Sequence, residues 1–272
     1  MQYSSLSFPC FQRHSFDRCD NQLAAGSAKL VEEVPLAISI NDISHAVMMV
    51  TPNQLDAFVI GFARSEGIIE QISDVRDLEV ETTKIPPNID SIAINLTLSS
   101  RRFANFKQKK QAHLGATGCG LCGIESLPQA IPSLPKLPLS KPIAESTLMS
   151  LKTRLADYQT LGKQTGAVHA ALLVSPDGTP LICMEDIGRH NALDKVIGYA
   201  LQQNINLHNY SVLMTSRCST ELVQKAVRVG LSRLVHLASP STLAVTLAEH
   251  YGLTLIHLPK QDSPRIFASS TP

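Results

Sequence analysis

Three short apolar runs in the second half of the chain, SVLMTS (211–216), LVHLAS (234–239) and LTLIHL (253–258), are each separated by one segment of helical length and period. Strands that alternate with single helices pair in parallel, because each helix must carry the chain back across the sheet, and such crossovers are right-handed. The intervening patterns predict helices over 219–230 and 241–251, and a helix from about Asn191 to Gln203 leads into the first run. Upstream, AVHAALLVS (167–175), the turn Pro176–Asp177–Gly178 and PLICMED (180–186) read as a hairpin. The C-terminal half is therefore expected to be a three-layer α/β domain that opens on a hairpin.

The first half reads as α+β. VPLAISI (34–40), the turn Asn41–Asp42 and HAVMMV (45–50) predict a second hairpin. Thr51 is a good N-cap and Pro52 suits the first helical position. Leu55, Phe58, Val59 and Phe62 then share one helix face, and Gly67 can close that helix. Ile92, Ile94, Leu96 and Leu98 alternate with polar residues as in a strand with one wet face. SSRRFANFKQKKQAHLG follows as a helix. Residues 1–29 lack periodicity and read as a poorly structured tail, so the N-terminal domain spans 30–127. Five prolines between Pro128 and Pro142 forbid regular helix or central strand, so 128–142 reads as a linker and 143–272 as the second domain.

Bulk numbers exclude several classes of function. A net charge of +1 gives no global field for nucleic acid, so any anion site must be local. No apolar run approaches the ~18 residues needed to cross a bilayer, and MQYSSLSFPCFQRHSF has no signal-peptide pattern. Six cysteines without a repeating pattern argue against a secreted disulfide framework and for a cytoplasmic protein with free thiols, Cys10 and Cys19 being bystanders. Exposed apolar strand edges are compatible with a homodimer.

The chemistry concentrates in GATGCGLCGIE (115–125), where Cys119 and Cys122 stand among Gly115, Gly118, Gly120 and Gly123. A structural zinc needs four ligands, and no second Cys-x-x-Cys or spaced histidine pair accompanies this one, so no metal is expected. A thioredoxin-type dithiol starts a long helix, which Pro128 forbids here. What remains is a glycine-hinged thiol able to meet more than one partner. Arg101, Arg102, Lys107, Lys109 and Lys110, without an interleaved acid, lie just upstream and predict an anion nearby.

A second constellation is MEDIGRHNALDK (184–195), placed where a strand ends and a helix begins. Arg189 and His190 there, Ser216 and Arg217 after the next strand and Ser239–Thr242 after the one following outline a cleft. Helix N-termini in that cleft suit a phosphate-bearing ligand. His169, inside an apolar strand, reads as a core or edge histidine.

Taken in order, EEVPLAISIN, FARSEGII, LSSRRF, TGCGLCG, EDIGRHNALDK, TSRCSTELVQKA and STLA resemble the formate dehydrogenase accessory sulfurtransferase family (FdhD) over about residues 30–258. The resemblance implies a cytidine deaminase-like C-terminal domain. It implies a sulfurtransferase that takes persulfide sulfur from a cysteine desulfurase and passes it to the molybdenum cofactor, in its bis-guanine-dinucleotide form, for formate dehydrogenase. It makes Cys119 the persulfide carrier and Cys122 its companion. It puts cofactor contacts at Leu258, Pro259, Lys260, Gln261, Asp262 and Ser263, with Arg189, His190, Ser216 and Arg217 as further candidates. Where the resemblance implies an Arg or Gly-Arg stretch this chain reads LPKQDSPRIF, in which Lys260 and Arg265 keep cations and Asp262 adds an acid. Two rivals stand beside this reading. A zinc deaminase requires His-x-Glu, which occurs nowhere in the chain. A non-catalytic cofactor-binding chaperone of formate dehydrogenase would need the cleft and not the thiol.

Overall fold

The computed structural model describes residues 8–16, 26–112 and 131–268. Strands β1 (Phe11–Phe16) and β2 (Gly26–Val31) pair antiparallel from Phe11↔Val31 to Phe16↔Gly26. Ordered strands thus occur within the segment expected to be a poorly structured tail. FQRHSF shows no clean alternation because both faces of a two-stranded ribbon are wet, so the pairing partner, not the pattern, makes it a strand.

The N-terminal sheet has the order β4-β3-β6-β5, built from β3 (Val34–Ile40), β4 (Ile43–Val50), β5 (Val75–Ile85) and β6 (Ile89–Leu98). Asn41 and Asp42 both adopt positive φ, the geometry of a tight two-residue hairpin turn. Leu36, Ile38 and Ile40 of β3 and Ile92, Ile94 and Leu96 of β6 point at α1 (Leu55–Ser65), which returns Phe58, Val59 and Phe62; Phe106 of α2 (Ser100–Ala112) closes that core. Helix α1 starts later than its capping signal. Thr51 is fully buried, and its Oγ1 instead accepts the Ile187 N–H at 3.0 Å, so a tertiary contact has taken the capping hydroxyl.

In the C-terminal half, β7 (His169–Val174), β8 (Pro180–Asp186), β9 (Ser211–Met214), β10 (Arg233–His236), β11 (Thr254–His257) and β12 (Arg265–Ala268) form one sheet of order β12-β11-β10-β9-β7-β8. β9, β10 and β11 are parallel; β7 runs antiparallel to both β8 and β9, so the connection from β8 to β9 crosses over β7. Helices α5 (Arg189–Gln202), α6 (Thr220–Arg228) and α7 (Thr242–Tyr251) share a core with one face of the sheet. On the other face lies α3 (Glu145–Tyr158), through Leu148, Leu151 and Leu155, and the short α4 (Thr160–Thr165) follows it. Residues 132–144 form neither helix nor strand. They are nonetheless pinned: the Tyr251 hydroxyl donates to the Pro132 carbonyl (2.7 Å), and the buried Arg233 guanidinium reaches the carbonyls of Lys141 and Asn209.

The four- and six-stranded sheets are joined through helices. A Cβ on Gly61 of α1 would stand 1.8 Å from the Asp194 carbonyl oxygen, and one on Gly198 of α5 would stand 1.8 Å from that of Ala57. The helix backbones therefore touch, an approach only glycine permits. Two buried ion clusters flank the crossing. Lys195 Nζ lies 2.7 Å from Asp186 Oδ2 and donates to the carbonyls of Thr51 (3.2 Å) and Glu185 (3.0 Å). Lys225 Nζ lies 2.9 Å from both Asp194 Oδ2 and Glu66 Oε1 and donates to Ser65 Oγ at 2.8 Å.

Candidate functional site

Because β8, β9, β10 and β11 point the same way, the segments that follow them emerge on one edge of the sheet. These are 187–190, 215–219, 237–241 and 258–263. The N-termini of α5, α6 and α7 open on the same edge. β7 runs oppositely, so its first residue, His169, also stands there, in register with Asp186.

Most of EDIGRHNALDK is architecture. The Glu185 carboxylate accepts the N–H groups of Thr160, Leu161 and Gly162 at 2.7–2.8 Å and so caps α4 from a distance. Asp186, fully buried, accepts from the N–H of Thr51 (3.1 Å), the N–H of Gly188 (2.8 Å) and Asn191 Nδ2 (2.8 Å). Burial pushes the Lys195 ammonium below its ordinary range while Asp186 opposes the shift. Only Arg189 and His190 of the motif remain partly exposed beside Ile187 and Gly188.

His190 Nε2 lies 2.6 Å from Glu221 Oε2, and Ser219 Oγ is 3.5 Å away, which joins the loop after β8 to the first turn of α6. The hydrogen bond from His190 holds the Glu221 carboxyl below its ordinary range. Burial, with Arg189 adding to it, lowers the basicity of the nearby His169. Thr215 Oγ1 accepts the Ala170 N–H at 2.9 Å and fixes that strand end. Glu221 carries no local sequence signal, because the residue it pairs with is distant in the chain.

Of the expected contacts after β11, Leu258 has its side chain sealed in the core and its N–H donated to the His236 carbonyl (2.8 Å). Lys260, Gln261, Asp262 and Ser263 are exposed. Lys152 of α3 anchors the segment by donating to the carbonyls of Pro259 and Lys260, the latter at 2.9 Å. Arg265 pairs with Asp262 at 2.6 Å, so the acid in this stretch has its own cation. Ser216 is buried and Arg217 exposed.

Three cations of α2 go to separate partners. Arg102 is buried against Asp74 (3.0 Å) and Glu70, Lys107 lies over the Phe103 ring (4.7 Å), and Lys110 reaches the Ser44 carbonyl at 2.5 Å. Successive helical residues are turned by about 100°, so a dense run of charge spreads round the axis. Among the described residues, no group of three or more His, Cys, Asp or Glu side chains has the geometry to hold a metal ion. Cys119 and Cys122 lie outside the described residues.

A family model described as FdhD/NarQ matches residues 31–271. The chain belongs to the FdhD/NarQ family. It is 42% identical over 231 residues to proteins named Sulfur carrier protein FdhD from Burkholderia mallei (strain ATCC 23344) and Burkholderia pseudomallei (strain K96243), covering 83% of each chain. It is 36% identical over 247 residues to the Sulfur carrier protein FdhD of Bordetella bronchiseptica, covering 91% of this chain and 88% of that one. Its fold is similar to the crystal structure of a Desulfotalea psychrophila protein named as a candidate formate dehydrogenase accessory protein, with a TM-score of 0.68 at 24% identity over 95% of this chain and 96% of that one.

Proposed function

We propose that the chain is a sulfur carrier in the maturation of formate dehydrogenase. The observation that carries this is its 42% identity, over 83% of both chains, to proteins named as sulfur carriers. In finer detail, Cys119 receives sulfur from a cysteine desulfurase. Its thiolate attacks the outer sulfur of the desulfurase persulfide, a new S–S bond forms on Cys119, and the desulfurase cysteine leaves as a thiolate. The sulfur then passes to the molybdenum cofactor in its bis-guanine-dinucleotide form, which is substrate here. We read the cofactor as held along Leu258–Ser263, with Arg189, His190, Ser216 and Arg217 across the edge. Three helix N-termini and the cations Arg189, Arg217 and Lys260 on one edge support a ligand bearing phosphates. Cys122 attacking a loaded Cys119 would release sulfide and leave a disulfide, so the loop is expected to keep the pair apart during loading. The opening hairpin followed by parallel strands on helical crossovers supports the cytidine deaminase-like reading of the C-terminal domain. Free thiols of this kind belong in a reducing compartment, so we read the reaction as cytoplasmic; no described helix is long and apolar enough to cross a membrane.

Intact mass after incubation with a cysteine desulfurase and cysteine tests the reading. A reductant-sensitive gain of about one sulfur atom (~32 Da) on wild type and Cys122→Ala, absent from Cys119→Ala, is the expected result. Formate dehydrogenase maturation sustained by Cys119→Ala would instead favour a cofactor-binding chaperone.

A further inference from the structure

The parallel ladder β9-β10-β11 ends at the register Met214, His236 and His257. Beyond it the loop after β9 is held through its main chain at Thr215, whose N–H donates to the Ala170 carbonyl (3.1 Å), and at Cys218, whose carbonyl accepts the Ser241 N–H (3.2 Å); between them Ser216 is buried and its carbonyl needs a donor. His236, the last residue of β10 and 0% exposed, supplies one: its Nδ1 lies 3.0 Å from the Ser216 oxygen. A carbonyl only accepts, so the proton is on Nδ1. The main chain of the same residue faces the other way, its carbonyl accepting the Leu258 N–H at 2.8 Å. His236 is thus bonded on one side to the segment carrying Ser216 and Arg217, and on the other to the first residue of 258–263. Burial keeps the ring neutral by lowering its pKa to about 4, so this tautomer persists across the working range.

We infer that His236 is a positioning residue whose ring-to-Ser216 hydrogen bond sets the spacing between the loop after β9 and the segment Leu258–Ser263, so that one ligand meets both. This rests on the reading above that these two segments hold the cofactor. The geometry explains why a side chain is needed at this point. The main-chain bond to Leu258 continues the regular ladder and any residue would provide it, whereas the Ser216 carbonyl lies past the ladder and only a side-chain donor of suitable length meets it. The residue touches no ligand itself; it acts through Ser216.

The test measures calorimetric binding of GDP, a fragment of the proposed cofactor, to the full chain as wild type, His236→Asn and His236→Leu, together with each melting temperature. Asparagine keeps a donor at nearly the place of Nδ1, and its affinity should stay within about threefold of wild type; leucine removes the donor and should weaken binding roughly tenfold. His236→Met supplies a second donor-free variant should leucine fail to fold. A purely structural role would lower the melting temperature of all the variants and leave GDP affinity of the folded protein unchanged, which overturns the inference. Equal losses of affinity in the asparagine and donor-free variants overturn it too, because the donor would then be irrelevant. Wild type that takes sulfur on Cys119 but does not bind GDP would refute the cofactor edge itself, and the role of His236 with it. Failure of sulfur loading alone, with GDP bound, would strike the carrier reading and leave the inference standing.

Discussion

Asp186 and Lys195 are both fully buried and face each other across 2.7 Å. Attraction of this kind scarcely exceeds the desolvation of the two charges, but removing one partner strands the other. Asp186→Asn is expected to cost about 3–5 kcal/mol in urea unfolding, whereas the paired replacement Asp186→Leu with Lys195→Met should cost clearly less than the sum of the single changes. A loss in Asp186→Asn below ~1 kcal/mol would show that the ammonium is not held there as a charge. His236 makes a separate prediction about pH. Its folded pKa of about 4 lies below the ordinary 6.5, so between those values the unfolded chain takes a proton that the native ring refuses. Stability from this residue should fall as pH drops through that window, by up to about 3 kcal/mol, and level off below it. His236→Asn should lose this part of the slope, which parallel urea titrations at pH 7, 5.5 and 4.5 would reveal. None of these roles is legible in the sequence. LVHLAS and EDIGRHNALDK name the residues, but burial decides which are structural and which face the edge.

Elements were legible where their periodicity was strong. The hairpin of β3 and β4, helix α1 and the succession from β7 to β11 follow from alternation, turn residues and apolar spacing. Strand β5, VRDLEVETTKI, carries no clear alternation because it is an edge strand with most residues wet. The ribbon of β1 and β2 carries none for the same reason. Strand β12 is short and pairs only with β11. Helix α3 follows a proline-rich stretch that reads as linker and buries only Leu148, Leu151 and Leu155. The crossing of α1 and α5 gives the sharpest prediction among the elements. Gly61→Ala and Gly198→Ala each place a methyl group within 1.8 Å of a main-chain oxygen, a clash that no side-chain rotation relieves. Each should destabilise the protein by about 3 kcal/mol or more, read from the midpoint of denaturant unfolding. Near-normal stability in either variant would mean that the helices can separate without cost.

At the scale of the whole molecule, the four- and six-stranded sheets are clasped through α1 and α5, with the Asp186–Lys195 and Asp194–Lys225–Glu66 clusters on the joint. Lys225 is held above its ordinary pKa by two carboxylates that outweigh its burial, and it in turn draws Glu66 below the ordinary carboxylate value of 4.5 despite burial. The Lys225–Glu66 arm of the tie therefore holds at neutral pH and weakens as the solution becomes more acidic than that value, while burial raises the Asp194 carboxyl above its ordinary range. Unfolding should be a single transition, with near- and far-ultraviolet circular dichroism coincident in urea at pH 7; two separated transitions would show that the sheets unfold independently. Apolar alternation and chain order by themselves determined the parallel α/β half, the glycine-framed dithiol and the set of motifs that resembles a known family, since these need only local period and spacing. What tertiary structure alone decided is which charged residues are sunk in the joint, that Arg102, Lys107 and Lys110 of α2 go to separate partners, and that His190 meets Glu221 while His236 links two strand ends. Those facts depend on which distant segments come within hydrogen-bond reach, and sequence separation holds no information about that distance.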